Sequence, residues 1–142
     1  LCFAPGRSAL SSYRLREGVA LIADLCLTAR DETGILAGAV RNWPVRIGAQ
    51  LAVLLGPIAV HPTRQGEGVA SLLMQACVSQ ATDTGWARMM LVGDAPYYSR
   101  FGFTSLPGVI MPPPTNPARV LGLALQDAAW DGVTGAVEAC ND

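Results

Sequence analysis

Two glycines that are separated by a single residue precede a helix-like segment in the middle of the chain. The residues concerned are Gln65, Gly66, Glu67, Gly68, Val69 and Ala70, with Ser71 following them. The first turn of a helix has backbone N–H groups without intrahelical partners and lies at the positive end of the helix dipole, so it attracts phosphate. Glycine lets a bulky anion approach the backbone closely. The segment therefore indicates a pyrophosphate-binding loop, although a plain loop with a flexible helix cap has the same composition.

A proline interrupts the strand-like run that precedes this loop. Pro57 cannot donate to a β-ladder, so the strand must bulge or lose its neighbour at this point. The backbone groups of the next three residues, Ile58, Ala59 and Val60, are then expected to lack a strand partner and to bond a ligand or water. The alternative is an ordinary edge strand with a bulge.

Residues 93–103 (GDAPYYSRFGF) form a dense aromatic segment. Tyr97 and Tyr98 are adjacent and so point in different directions, which leaves at most one of them to face a site. Phe101 and Phe103 are expected to pack in the core. The segment thus offers one tyrosine hydroxyl for chemistry.

Two other kinds of site are disfavoured by spacing. GEGVAS is close to the GxGxxG dinucleotide motif, with Asp94 at a suitable distance for a ribose. However, HPTRQ separates its glycines from the strand, Ser71 stands at the third glycine, and an antiparallel meander precedes it. Four scattered cysteines with no CxxC pair and one histidine predict free thiols and no metal site. Cys77 lies on the apolar face of the predicted helix, where an inert thiol is expected.

Hydropathy outlines the elements that must position these groups. Residues 20–28 and 34–47 predict an antiparallel hairpin, residues 50–60 a third strand of the meander, and a helix begins near Gly66 to Gly68 and ends near Gly85. A buried strand over RMMLVGD, a turn or short helix running into a strand, and a proline-rich loop follow. ARVLGLALQDAAW and GVTGAVEA are interpreted as one more strand and a tail, and residues 8–17 as a weak helix. The fold class is α+β.

Length and composition bound the class of protein. A chain of 142 residues fits a single domain over 1–142, and 51% hydrophobic with 15% charged residues exclude intrinsic disorder. A net charge of −1 predicts no nucleic-acid partner, and the most apolar run, 51–60, is too short to span a membrane. Residues 1–18 lack the features of a signal peptide, so a cytoplasmic protein is expected. The first residue is not Met, which leaves room for an upstream piece.

The segment from Leu55 to Phe103 resembles the GNAT superfamily of N-acetyltransferases. It is most similar to a branch of small, mostly bacterial members whose last motif reads GDxxYYxRFGF. QGEGVA also fits the loop of that superfamily, which begins with Arg or Gln and ends in Gly-x-Gly or Gly-x-Ala. The resemblance covers about 50 residues and implies a mixed, mostly antiparallel sheet with a splayed central strand pair and flanking helices.

The resemblance implies transfer of an acetyl group from acetyl-CoA, without a metal, to an amine of a small molecule or protein by direct attack. The pantetheine arm would bond the backbone of Ile58, Ala59 and Val60, and the pyrophosphate the amides from Gln65 through Ala70, with the Ser71 hydroxyl added. Tyr98 matches the tyrosine that faces the CoA sulfur in many members. The alternative is a catalytically inactive acyl-CoA sensor or partner subunit. The apolar composition is compatible with a homodimer.

The sequence departs from the superfamily in two respects. Many relatives carry a carboxylate on the strand before the loop, whereas residues 50–60 contain no acid. Glu67, Asp94 and His61 are the nearby candidates for a base, and deprotonation through water is the alternative. Relatives also open with a strand and a helix that walls the acceptor pocket, and neither is clear in residues 1–18.

Overall fold

The computed structural model describes residues 22, 25–30, 33–61 and 68–140. The predicted weak helix over 8–17 lies outside the described residues, as do Gln65, Gly66 and Glu67. The elements are β1 (Leu27–Arg30), β2 (Leu36–Ile47), β3 (Gln50–Val60), α1 (Val69–Asp83), β4 (Arg88–Val92), α2 (Ala95–Tyr98), β5 (Thr104–Ser105), β6 (Val109–Ile110), β7 (Val120–Ala124) and β8 (Gly135–Ala139), with short 3₁₀ helices at Ser99–Phe101 and Pro117–Arg119.

The strands form one mixed sheet in the order β5-β7-β4-β3-β2-β8-β6, and β1 also pairs with β2. Most neighbours are antiparallel; β3 with β4 and β6 with β8 are the parallel pairs in this part of the chain. The α1 crossover is what allows β3 and β4 to be parallel neighbours. This architecture confirms the predicted α+β class with a mostly antiparallel sheet.

The predicted meander is present, but its first strand is displaced. β2 and β3 match their predicted ranges closely, whereas β1 spans Leu27–Arg30 and runs into the predicted turn. Before β1, Leu25 is fully buried and its carbonyl accepts a hydrogen bond of 2.7 Å from Asn42 Nδ2, while Ile22 N donates to Asn42 O at 2.9 Å. Both the backbone and the side chain of Asn42 in β2 therefore bond the segment that precedes β1.

The interpretation of residues 132–139 as a tail is wrong. Gly135–Ala139 forms β8, which pairs antiparallel with Val45–Ile47 of β2 and parallel with β6. The strand is anchored by Val137, which is 3% exposed in the core. The proline-rich loop likewise contains the two-residue strand β6.

The sheet separates the core into two clusters, and helix α1 covers one of its faces. Its buried residues are Leu73, Met74, Cys77 and Ala81, and the helix packs mainly against β1, β2 and β3. Leu72 and Ala76, which share the predicted helical spacing, are exposed. The opposite face is covered by side chains from the segment between β5 and β8. Among the described residues, no helix has the length and apolar character needed to cross a membrane.

Candidate functional site

Strand β3 bulges at the proline and then separates from β4. Val40 faces Ile58 and Asn42 faces Leu55, so Gly56 and Pro57 together oppose the single residue between Val40 and Asn42. Gly56 has φ +124°, a conformation that favours glycine. On the other side, β3 pairs with β4 only at Val53 and Leu54. The strands diverge beyond Leu54, which confirms the predicted bulge and the splayed pair; the opening is called the β3–β4 gap.

The three residues after the proline still pair with β2. His61 N donates to Ala37 O over 2.7 Å, and the register continues through Ala59 opposite Ala39. Because paired and unpaired positions alternate in an antiparallel ladder, the backbone groups of Ala59 face β2, while those of Ile58 and Val60 face the β3–β4 gap. The expectation that all three lack a strand partner is therefore wrong for Ala59, whose backbone groups face β2. It holds for Ile58 and Val60, because their backbone groups have no ladder partner in β4.

The first turn of α1 is open. Gly68 is the N-cap residue with φ +80° and no side-chain cap, and the first turn contains no acidic residue. Leu72 N donates to Gly68 O at 3.0 Å, so the amides of Val69, Ala70 and Ser71 precede the first intrahelical donor. Four of the seven residues predicted to bind pyrophosphate thus form a helix N-terminus with unused N–H groups.

This helix end lies directly on the end of the meander. A Cβ added at Gly38 in β2 would lie 2.8 Å from Val69 Cγ1 and 3.0 Å from Ala59 O. Gly38 therefore permits a close approach that any side chain would prevent. The structure thereby places Val69 of α1 close to Ala59 of β3, a contact around Gly38 that the sequence analysis did not single out.

Tyr98 ends the short helix that follows β4. Asp94 caps this helix, because its carboxylate accepts a hydrogen bond from Tyr97 N at 3.2 Å and its carbonyl accepts one from Tyr98 N at 3.0 Å. The Tyr98 ring is half-buried, and its centroid lies 6.1 Å from that of Phe103. Its edge lies against Gly93 at the end of β4. Tyr98 therefore lies at the end of β4.

The other aromatic residues of the segment pack as expected. Phe103 is 2% exposed, and Phe101 packs against the same cluster. The Tyr97 ring is nearly perpendicular to that of Tyr98, at 87°, and carries the Arg100 guanidinium 4.7 Å from its centroid. The two tyrosines thus have different surroundings.

Two of the three candidate bases lie within the described residues, and both are exposed. Asp94 is exposed and serves as a helix cap, His61 is exposed at the end of β3, and Glu67 lies outside the described residues. Neither β3 nor β4 contains an acid. The described residues of these two strands therefore add no general base to those weighed from the sequence.

The thiol of Cys77 is fully buried in the core. Burial raises the pKa of Cys77 to about 11, and Asn42 Nδ2 donates to its sulfur at 3.4 Å. The thiol is therefore protonated at neutral pH, in agreement with the prediction. Within the described part of the chain, no three His, Cys, Asp or Glu residues cluster as a metal site would require.

Residues 23–105 match the family described as the acetyltransferase (GNAT) domain. The chain belongs to the GNAT acetyltransferase family. It is 34% identical over 120 residues to the protein named "Uncharacterized N-acetyltransferase YhbS" from Escherichia coli strain K12, with 80% of this chain and 71% of that protein covered. The GNAT family name thus rests on sequence over most of the chain.

Two solved structures of GNAT proteins resemble the whole fold. The structure of Escherichia coli YhbS in complex with CoA superposes with a TM-score of 0.77 at 32% identity, covering 92% of this chain and 73% of that one. A GNAT acetyltransferase from Brucella melitensis in complex with acetyl-CoA gives a TM-score of 0.70 at 29% identity, covering 99% of this chain and 80% of that one. Both confirm a GNAT fold for this chain.

Proposed function

We propose that the chain is an acetyl-CoA-dependent N-acetyltransferase that acetylates an amine of a small molecule or protein by direct attack. The observation that carries the proposal is the β3–β4 gap, which has free backbone groups on one strand and an open helix N-terminus beside it. Two relatives with the same fold were crystallised with CoA and with acetyl-CoA, which supports the assignment of the donor.

The geometry suggests how the donor would be held. The pantetheine arm contains amide groups, which can bond to the backbone of Ile58 and Val60 where these face the gap. The pyrophosphate would lie on the amides of Gly68 to Ser71, where the helix dipole and the unused N–H groups favour negative charge. Gln65, Gly66 and Glu67 complete this loop in the proposal, and Ala59 contributes through its place in the strand.

The reaction requires no covalent enzyme intermediate. The amine nitrogen attacks the thioester carbonyl carbon, the C–S bond breaks, and CoA leaves as a thiolate while the amine loses a proton. A backbone amide near Ile58 would stabilise the carbonyl oxygen as it becomes negative. Tyr98 would donate a hydrogen bond to the sulfur, because a phenol pKa of ~10 against a thiol pKa of ~8.5 makes complete proton transfer uphill by about 2 kcal/mol.

The proton of the amine would leave through water. The described residues place no carboxylate on β3 or β4, and Asp94 is engaged in its cap. An acceptor that is already partly deprotonated at neutral pH satisfies the reaction without a protein base. This arrangement predicts a rate that increases with pH up to the pKa of the acceptor amine.

The proposal is tested by calorimetric titration of the purified protein with acetyl-CoA, with NADH as the control ligand. Binding of acetyl-CoA without binding of NADH is expected. A panel of primary amines is then assayed for release of the CoA thiol. Binding without turnover on any amine would favour the acyl-CoA sensor or partner subunit, and a folded protein that does not bind acetyl-CoA would contradict both.

A further inference from the structure

Gly93 is buried at the end of β4, and its backbone does not require glycine. Its φ lies outside the positive range in which other glycines of this chain are found. Glycine is required at position 93 for steric reasons, because an added Cβ would lie 2.5 Å from Tyr98 Cε2 and 3.0 Å from Tyr98 Cδ2. The ring of Tyr98 thus occupies the volume that any side chain at position 93 would fill.

The Tyr98 ring has little freedom to retreat from such a side chain. Its other neighbours include the rings of Tyr97, Phe101 and Phe103, with centroids 4.9, 6.5 and 6.1 Å away. Its backbone is fixed by the hydrogen bond from Tyr98 N to Asp94 O. To restore an ordinary contact of 3.4 Å from 2.5 Å, the ring would have to move by 3.4 − 2.5 = 0.9 Å.

We propose that Gly93 is a positioning residue, whose missing side chain allows the Tyr98 ring to lie against the end of β4 and so fixes where its hydroxyl reaches. The inference rests on the proposed function, in which that hydroxyl meets the sulfur of CoA. In this proposal, the first glycine of the GDAPYYSRFGF segment serves to position the ring of Tyr98. Gly93 itself does not touch the reacting atoms.

The test is a double-mutant cycle between Gly93→Ala and Tyr98→Phe, assayed with acetyl-CoA and the best amine of the panel. A displacement of about 1 Å is expected to lower kcat roughly 10- to 100-fold in Gly93→Ala, with the KM for acetyl-CoA changed less than about 3-fold. In the Tyr98→Phe background, which has no hydroxyl to misplace, the same substitution is expected to change kcat by less than about 2-fold. Equal losses in both backgrounds, or no loss in either, would overturn the proposal.

Gly108→Ala is the matched control. Its Cβ would lie 2.6 Å from Thr134 Cγ2, a distance like that at Gly93 but between exposed residues, and Gly108 also lacks a positive φ. It lies in the turn before β6, away from the β3–β4 gap. Gly108→Ala is expected to lower Tm while leaving kcat within about 2-fold of the wild type. A kcat loss in Gly108→Ala equal to that in Gly93→Ala would count against the specific role of Gly93.

A second measurement keeps the proposal testable if Gly93→Ala is unstable or no amine is turned over. Thermal unfolding is followed for Gly93→Ala alone and combined with Tyr98→Ala, which removes both ring atoms that the new Cβ would meet. The Tm loss caused by Gly93→Ala is expected to be largely abolished in the Tyr98→Ala background. A Tm loss of the same size in both backgrounds would overturn the inference, whereas absent acetyl-CoA binding by the wild type would count against the proposed function.

Discussion

Tyr97 and Tyr98 are neighbours in sequence and similar in burial, yet their surroundings separate their roles. The Tyr97 ring is covered by the Arg100 guanidinium and lies 5.6 Å from the Phe101 ring, centroid to centroid. The Tyr98 ring instead lies against Gly93 where β4 ends. The adjacency of two tyrosines could be read from the sequence, whereas the guanidinium on one ring and the strand end beneath the other depend on the folded chain.

Tyr98→Phe is expected to lower kcat about 10- to 100-fold, because a hydrogen bond to a charged group contributes about 1.5–3 kcal/mol. The dissociation constant for acetyl-CoA should change little, since the ring remains in place. Steady-state kinetics and calorimetry measure the two quantities. Tyr97→Phe is the control and should keep nearly the wild-type rate; a fully active Tyr98→Phe would refute the role given to Tyr98.

The raised pKa of the Cys77 thiol predicts a loss of stability in alkaline solution. Burial raises its pKa from 9.0 to about 11, so the folded protein keeps this proton at pH values where the unfolded chain releases it. The contribution of Cys77 to the free energy of unfolding should therefore be constant below pH 9 and decrease between pH 9 and about 11. Denaturant unfolding of the wild type and of Cys77→Ala across this range measures the difference; identical slopes would contradict it.

At the scale of elements, the site depends on how closely α1 approaches the meander. The proline in β3 and the glycines before α1 are local signals, and each predicted its own bulge or helix start correctly. The meeting of these elements depends on Gly38, whose contact residue Val69 lies far along the chain. A glycine inside a strand signals a close approach but does not name the partner, which is why sequence analysis could not identify this contact.

Gly38→Ala is expected to weaken acetyl-CoA binding by displacing Val69 and the first turn of α1. A loss of about 1.4 kcal/mol from the pyrophosphate contacts would raise the dissociation constant about tenfold. Crowding of the core should also lower the free energy of unfolding by about 1–3 kcal/mol. Calorimetry on Gly38→Ala and on Gly108→Ala separates the effects, because only the former should bind acetyl-CoA less tightly; equal affinities would argue against this contact.

At the scale of the whole molecule, the sheet was predictable only where its signals are local. β2, β3, β4 and α1 follow their predicted ranges because alternation, capping and turn residues lie within each segment. β8 was mistaken for a tail because it contains a single buried apolar residue, Val137, among small and polar ones. Its partner in β2 lies some ninety positions earlier, so nothing near β8 in the sequence indicates that pairing.

Val137→Asp is expected to lower the free energy of unfolding by about 2–4 kcal/mol, because it buries a carboxylate in an apolar cluster. The loss should be visible as a lower midpoint in denaturant unfolding. Glu138→Gln in the same strand is the control; it is exposed, faces Arg46 across the ladder, and should cost less than about 1 kcal/mol. A stable Val137→Asp would mean that β8 contributes little to the fold.

The short pairing of β3 with β4 also bears on the cooperativity of unfolding. Along the described sheet, β5, β7 and β4 form one half and the remaining strands the other, and only Val53 and Leu54 join them through the ladder. A ligand that forms hydrogen bonds to both strands beyond Leu54 would link the two halves of the sheet. When such a ligand is bound, slow amide exchange should extend from β3 and β4 into both halves of the sheet, because the ligand stabilises the contact between them.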